Sequence, residues 1–165
     1  MPALVVGKKA PDFTLSTMDG QPFSLRDALT RGPVVLAFYK ISCPVCQYAF
    51  PFLERIYKAY GSKNVTMVGV SQNKAKETGL FNKEYGVTFP VLLDDTNSYP
   101  VSNAYGLTNV PTVFWIDSDG TIEVSSVGWV QQDIAEINQK FAEAGKNSLQ
   151  PVFLPDESIP AYRPG

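Results

Sequence analysis

Histidine is absent from the chain, and cysteine occurs only twice, at Cys43 and Cys46. A structural zinc site takes four protein ligands, usually cysteine and histidine, so this pair argues against a metal centre. An excess of charge of one sign is also lacking, because 14 basic residues face 16 acidic ones and the formal net charge is −2. That balance gives no electrostatic reason to expect a nucleic acid or an anionic membrane surface as a partner. No apolar run reaches the roughly 18 residues of a transmembrane helix, which predicts a protein without a membrane span.

The composition is that of a globular protein, with 44% hydrophobic and 18% charged residues in a chain of 165 residues. This length is typical of one domain. The first residues lack the basic flank, long apolar stretch and small-residue cleavage site of a signal peptide. We therefore expect a cytoplasmic protein, with a periplasmic or other extracytoplasmic location as the alternative if a leader has been removed. In a reducing compartment, two cysteines at this spacing indicate catalysis rather than a structural disulfide.

The sequence Cys43-Pro44-Val45-Cys46 lies between an apolar run at 34–39 and a segment with a helical pattern. Residues three apart share a face of a helix, so the two sulfurs can form a disulfide. Cys43 is expected at the start of the helix, where free N–H groups and the helix dipole stabilise a thiolate. Pro44 suits the first helical turn. Cys46 lies one turn deeper and is suited to resolving a mixed disulfide.

The pattern of apolar residues and turn residues predicts alternating strands and helices. Strands are expected at 13–15, 22–24, 34–39, 64–71, 89–93, within 108–117 and at 121–127. Helices are expected at 25–29, from the cysteines to residue 60, and at 74–85, 102–105 and 131–144. Strands separated by helices favour a parallel core, and the Asp119-Gly120 turn adds an antiparallel pair. The predicted fold class is α/β, a mixed central β-sheet with helices on both faces and an extra N-terminal β-hairpin.

The domain organisation predicted from this pattern is one domain over 1–144 and a proline-rich C-terminal tail over 145–165. The tail is expected to be extended, with Phe153 and Leu154 as the residues that dock on the domain.

Several stretches resemble one known group of proteins. They are residues 10–15, the run 34–39 leading into Cys43-Pro44-Val45-Cys46, Phe50-Pro51, Val110-Pro111-Thr112 and residues 116–120. From about residue 7 to residue 144, the chain is similar to the thioredoxin-fold redoxins, which include the AhpC/TSA peroxiredoxins and the TlpA-like thiol–disulfide oxidoreductases.

The resemblance implies a thioredoxin-like three-layer fold and a substrate site beside the cysteines. By this resemblance, Pro111 is the cis-proline of the fold and packs against the cysteine pair. The backbone of Val110 is then available to pair with an extended substrate segment next to Cys43.

Two departures from the peroxiredoxin pattern disfavour a peroxidase. With the 38–39 pair aligned, Lys40 stands where peroxiredoxins carry a proline and Gln47 where they carry the peroxidatic cysteine. Peroxiredoxins also carry an arginine near the position of Thr112, and none of the four arginines of this chain matches it.

Other departures concern the cysteines themselves. Ala37 replaces the buried aspartate of thioredoxins and Ala49 the glutamate of TlpA-like reductases, so no carboxylate is in place to take the proton of Cys46. Pro44 and Val45 replace the Gly-Pro of thioredoxins, and with Lys40 they are candidates for tuning the thiolate.

We therefore predict a thiol–disulfide oxidoreductase in which Cys43 attacks a protein or small disulfide and Cys46 resolves the mixed disulfide. It needs no metal or bound cofactor, only an external dithiol reductant. Two alternatives stay open: a peroxiredoxin-like peroxidase with Cys43 as the peroxidatic and Cys46 as the resolving cysteine, and a non-catalytic partner-binding module. An inert buried pair is the structural alternative for the cysteines.

Overall fold

A computed structural model describes residues 2–165. The strands are β1 (Thr14–Ser16), β2 (Pro22–Ser24), β3 (Val34–Tyr39), β4 (Thr66–Ser71), β5 (Val91–Leu93), β6 (Thr112–Ile116), β7 (Ile122–Val127), β8 (Trp129–Val130) and β9 (Tyr162–Arg163). The helices are α1 (Leu25–Leu29), α2 (Pro44–Tyr60), α3 (Ala75–Tyr85), α4 (Pro100–Ala104) and α5 (Gln131–Ala144).

The central sheet has five strands in the order β5-β4-β3-β6-β7. β3, β4 and β5 are parallel neighbours, whereas β6 runs antiparallel to both β3 and β7. The β1–β2 hairpin forms a separate two-stranded sheet. The mixed sheet and the N-terminal hairpin predicted from the sequence are therefore both confirmed.

The two faces of β3 explain its position at the centre. All six of its residues are buried, as the continuous apolar run predicts for a strand covered on both sides. Val35, Ala37 and Tyr39 pack in one apolar cluster with residues of α2, α3 and α5. Val34, Leu36 and Phe38 pack in a second cluster with residues of α1 and α4. Helices thus cover both faces, which gives the three layers.

Several element boundaries differ from the predicted ones. β4 begins at Thr66 and β5 at Val91, each two residues later than expected. The short helix α4 spans Pro100–Ala104 instead of 102–105. Its start has a physical cause, since Pro100 has a backbone angle suited to the first helical position and no N–H that needs a partner there. Other helix limits agree closely: Ser24 accepts a hydrogen bond from the Asp27 N–H at the start of α1, and Gly61 follows α2.

Both edges of the central sheet are covered by the first part of the chain. Gly7 donates its N–H to the Ile122 carbonyl of the edge strand β7, and Ile122 donates to Lys8. At the other edge, Met18 donates its N–H to Val91 of β5. These bonds occupy backbone groups at the start of β7 and of β5, so another chain cannot pair with the sheet edges at those positions.

The tail packs more closely on the domain than the sequence suggests. Val152 is only 5% exposed, Phe153 contacts Phe52 and Trp129, and β9 pairs antiparallel with β8. The expectation for Phe153 is confirmed, but that for Leu154 is wrong, because its side chain is 43% exposed. The placement of the domain boundary at residue 144 stays a prediction.

Among residues 2–165, none of the helices combines the length and the apolar character that crossing a bilayer demands.

Candidate active site

The cysteine pair lies at the amino end of α2, directly behind the end of β3. Cys43 is the residue that caps the helix, with extended backbone angles, and Pro44 follows in the first turn. The Cys46 N–H donates to the Cys43 sulfur over 3.1 Å. Cys46 is fully buried, whereas Cys43 is half-buried, and the two are not joined by a disulfide in this structure. The Cys43 sulfur is therefore accessible to a substrate and the Cys46 sulfur is not.

The two thiols differ strongly in acidity. The pKa of Cys43 is lowered to about 6, chiefly by a hydrogen bond from the Cys46 thiol and against the opposing effect of burial. The backbone N–H groups of Cys46 and Val45 and the charge of Lys40 lower this pKa further. The pKa of Cys46 is raised, first by burial and then by its hydrogen bond to Cys43. At neutral pH the pair is thus a thiolate at Cys43 and a thiol at Cys46.

Lys40, Pro44 and Val45, which the sequence suggested as residues that adjust the acidity of Cys43, differ in what they offer its sulfur. Lys40 is exposed and acts through its charge, while its carbonyl accepts the Cys43 N–H at 3.3 Å. Val45 is buried and supplies a backbone N–H. Pro44 is exposed and has no N–H to supply.

The Val110 loop lies on the other side of the sulfur. The Cys43 Sγ is 3.3 Å from the Val110 carbonyl oxygen, so the thiol form donates a hydrogen bond to it. The Val110–Pro111 peptide bond is cis, as the resemblance implies. Two hydrogen bonds hold this loop: Thr112 Oγ1 donates to the Asn109 carbonyl at 2.7 Å, and the Gly128 N–H donates to the Pro111 carbonyl at 2.8 Å. The structure thus brings Cys43 and Val110 together across 67 positions of sequence.

A proton acceptor for Cys46 is missing at the two positions where related proteins carry one, because Ala37 and Ala49 are both buried alanines. The buried carboxylate on α2, Glu54, is occupied elsewhere, since it accepts the N–H groups of Thr88 and Phe89.

The Tyr39 hydroxyl is in electrostatic reach of Cys46, and its pKa is raised, chiefly by burial. It therefore stays protonated and donates to Asn82 Oδ1 at 2.7 Å.

The sequence interpretation did not predict that the end of the tail lies beside this site. The Arg163 guanidinium carbon lies 5.1 Å from the centre of the Tyr48 ring on α2. Asn109 Nδ2 donates to the Gly165 carbonyl at 3.2 Å, next to Val110. No local pattern predicts these contacts, because they join residues more than 50 positions apart in sequence.

Three features together define a class of protein: a thiolate that caps a helix, a buried second thiol one turn later, and a cis-proline loop against the first sulfur. On a mixed sheet of this topology, they define a thioredoxin-fold thiol–disulfide oxidoreductase.

Comparison with known proteins leads to the same class. The AhpC/TSA family model matches residues 6–125, and this chain belongs to the AhpC/TSA family. Over 132 residues the chain is 32% identical to the thiol-disulfide oxidoreductase ResA of Geobacillus thermodenitrificans. The aligned segment covers 79% of this chain and 74% of ResA.

Two solved structures agree. A thioredoxin-family thiol:disulfide interchange protein from Chlorobium tepidum superposes with a TM-score of 0.68 at 27% identity, covering 86% of this chain and 99% of that one. A secreted disulfide oxidoreductase of Mycobacterium tuberculosis, homologous to E. coli DsbE, gives a TM-score of 0.65 at 26% identity, covering 79% and 95%. The predicted thioredoxin-like fold and the predicted thiol–disulfide oxidoreductase function are therefore confirmed, and the comparisons support this function over the peroxidase and the non-catalytic module.

Proposed function

We propose that Cys43 is the attacking thiolate and Cys46 the resolving thiol of this oxidoreductase. The observation that carries the proposal is the contrast between the two thiols: the pKa of half-buried Cys43 is lowered to about 6, whereas that of buried Cys46 is raised. Only a thiolate attacks a disulfide at a useful rate. At neutral pH the attack therefore begins at Cys43.

The exchange then proceeds in two balanced steps. The Cys43 thiolate forms a bond to one sulfur of the substrate disulfide, the S–S bond breaks, and the other substrate sulfur leaves as a thiolate. Cys46 loses its proton, attacks the Cys43 sulfur of the mixed disulfide and releases the second substrate thiolate. The leaving thiolates take up the Cys46 proton and a proton from water. The substrate gains two electrons and two protons, and Cys43 and Cys46 become a disulfide.

The Cys46 proton has an acceptor in this scheme even though no carboxylate replaces Ala37 or Ala49. The substrate thiolate that leaves in the first step is produced next to the pair and can receive this proton, because the Cys43 thiolate that helps to raise the pKa of Cys46 is consumed when the mixed disulfide forms. The absence of a dedicated carboxylate therefore slows the second step without preventing it.

The roles of the neighbouring residues are part of the same proposal. Val110 and Pro111 form the surface on which the substrate chain lies, supported by the 3.3 Å contact between the Val110 carbonyl and the Cys43 sulfur. Lys40 and the Val45 N–H stabilise the thiolate, and Pro44 occupies the first turn of α2, where its missing N–H leaves no hydrogen bond unmade.

The partners follow from the chemistry: a disulfide in a protein or a small molecule, and an external dithiol that returns the pair to its reduced form. The cytoplasmic location stays a prediction. The extracytoplasmic alternative is supported by the similarity to the M. tuberculosis oxidoreductase, which is a secreted protein.

Trapping the mixed disulfide tests the assignment of the two cysteines. The Cys46→Ser variant is expected to accumulate a covalent adduct with a disulfide-containing peptide, seen by mass spectrometry without reductant. The matched Cys43→Ser variant is expected to form none at neutral pH. An adduct on Cys46 in the Cys43→Ser protein, at the rate shown by the other variant, would overturn the assignment.

A further inference from the structure

The end of the tail lies against the carbonyl that contacts the attacking sulfur. A Cβ built on Gly165 would be only 2.4 Å from the Val110 carbonyl oxygen, so the two backbones are in direct contact. Asn109 Nδ2 holds the same residue through its carbonyl at 3.2 Å. Since the Val110 oxygen is itself 3.3 Å from the Cys43 Sγ, only this carbonyl separates the tail from the reacting atom.

The segment before Gly165 is fixed by backbone pairing rather than by side chains alone. In the β8–β9 pair, Trp129 faces Arg163. Gly128 has a φ of 76°, and a Cβ there would lie 2.6 Å from the Arg163 carbonyl and 3.0 Å from the Gly165 nitrogen. A glycine at 128 is thus required both by its backbone angle and by the closeness of the tail.

Two further bonds hold the tail upstream of β9. Trp129 Nε1 donates to the Pro160 carbonyl at 2.8 Å, and the Gln131 N–H donates to the Ala161 carbonyl at 2.9 Å. Both bonds lie before residue 163. The last two residues can therefore be changed without removing the contacts that anchor the tail.

An extended polypeptide is recognised most simply by adding its backbone to free backbone groups of the protein. At Val110 these groups have no backbone hydrogen bond to another residue within 2–165, but Gly165 occupies the space in front of the carbonyl. A polypeptide that pairs there must first displace the tail end. A small disulfide has no backbone to pair and needs only the half-buried Cys43 sulfur.

We propose that residues 163–165 are a specificity determinant of the disulfide exchange. They occupy the backbone-pairing position at Val110, so that small disulfides react without hindrance and extended polypeptide disulfides react only after displacing the segment. The proposal rests on the proposed function of Cys43 as the attacking thiolate.

The test compares two substrates with the same reacting bond. One is a ten-residue peptide whose central cysteine is joined to thionitrobenzoate, and the other is 2-mercaptoethanol joined to the same group, which carries no amide. Release of the coloured thiolate gives the rate of attack by the reduced protein. The ratio of the peptide rate to the small-substrate rate then isolates the effect of the peptide backbone.

Two variants displace the tail end and keep its anchors. One is a chain that ends at Arg163. The other is Gly165→Ala, whose Cβ cannot fit 2.4 Å from the Val110 oxygen. In both, the peptide rate is expected to rise by about tenfold. This is the gain for a tail end that leaves the backbone site at Val110 free in about 10% of the molecules, because the apparent affinity for the peptide is reduced by that fraction. The small-substrate rate is expected to stay within about twofold.

An unchanged ratio of the peptide rate to the small-substrate rate in both variants would overturn the proposal. An equal rise of the two rates would also overturn it, because the tail would then shield the Cys43 sulfur and not the backbone groups of Val110. Thermal unfolding verifies that the variants keep the fold. Adding Cys43→Ser to the shortened chain separates the two hypotheses: if thiolate release persists there, the assignment of Cys43 fails regardless of the ratio.

Discussion

At the scale of single residues, the reactivity of Cys43 is set almost entirely within one helical turn. The groups that lower its pKa are the Cys46 thiol, the N–H groups of Cys46 and Val45, and Lys40. All of them lie within three positions of Cys43, and burial alone would raise the pKa. The acidity of the Cys43 thiol is therefore a property of the local sequence once the helix has formed.

The pH dependence of alkylation should report this acidity. The rate of Cys43 modification by iodoacetamide follows the thiolate fraction, so it is expected to rise with pH and reach half its maximum near pH 6, where the pKa lies. The Cys46→Ala variant is expected to move the midpoint upward more than Lys40→Gln, since the Cys46 thiol contributes most and Lys40 least. A midpoint at the ordinary value of 9.0 in the unmodified protein would contradict this account.

At the scale of elements, α2 joins the reactive cysteines to the tail. Its amino end holds Cys43, and three turns later Arg55 binds the tail through Glu157, with Nη1 to Oε1 at 2.7 Å and Nη2 to Oε2 at 3.0 Å. Arg55 also donates to the Val152 carbonyl at 2.7 Å. The bidentate geometry is the stronger form of an arginine–carboxylate pair.

Acid should weaken this anchor. The pKa of Glu157 is lowered from 4.5 to about 2, chiefly by the hydrogen bond from Arg55 and then by the Leu154 N–H. A carboxylate with a lowered folded pKa adds stability above its unfolded pKa and loses it as the pH falls. Glu157→Gln is therefore expected to lower the melting temperature at pH 7, and the difference from wild type is expected to shrink between about pH 5 and pH 2.

The exposed Glu136 on α5 offers a matched control for this measurement, because it forms no ion pair within residues 2–165. Glu136→Gln is expected to leave the melting temperature unchanged at both ends of the pH range. A Glu157→Gln effect of the same size at pH 2 as at pH 7 would show that the charge of Glu157 does not stabilise the tail.

The indole of Trp129 is the second anchor of the tail. It is fully buried and donates to the Pro160 carbonyl at 2.8 Å. Trp129→Phe leaves that carbonyl without its donor and is expected to lower the free energy of unfolding by about 1–3 kcal/mol, measured by urea denaturation. An unchanged free energy of unfolding would show that the buried bond adds nothing to the docking of the tail.

At the scale of the whole molecule, the arrangement of the arginines separates disulfide exchange from peroxide reduction. Each arginine side chain has contacts away from the Cys43 sulfur: Arg26 with Asp12, Arg31 with the Asp27 carbonyl, Arg55 with Glu157, and Arg163 with the Tyr48 ring. Within residues 2–165 no guanidinium group hydrogen-bonds to that sulfur. The Cys43 thiol thus has the low pKa that disulfide exchange needs, but within residues 2–165 no arginine is placed to donate hydrogen bonds to a peroxide bound at its sulfur.

Hydrogen peroxide should therefore oxidise the reduced protein slowly. We expect a rate constant within about tenfold of a free thiol of similar pKa, since the pKa sets the thiolate fraction and nothing in the site adds further stabilisation of the leaving oxygen. The measurement is the loss of free thiol in the wild-type protein beside a small thiol at the same pH. A rate constant several orders of magnitude higher would make the molecule a peroxidase.

Prediction from the sequence succeeded where a contact is local. The strand at 34–39 and the limits of α1 and α5 depend on neighbours a few residues away, and all agree with the structure. It failed for Leu154, which is apolar like Phe153 but lies exposed. The pattern identifies residues that can be buried, whereas packing against α2 and β8 selects which of them are.

By itself, the sequence determined the spacing of the cysteines, their place at the start of a helix and the alternation of strands and helices, because each depends on backbone preferences and hydrogen bonds within one or two turns. Tertiary structure alone decided that Cys46 is buried, that the Val110 carbonyl meets the Cys43 sulfur and that Gly165 lies against that carbonyl. These contacts close loops of more than 50 residues, and the free energy that closes them comes from the packing of the whole core.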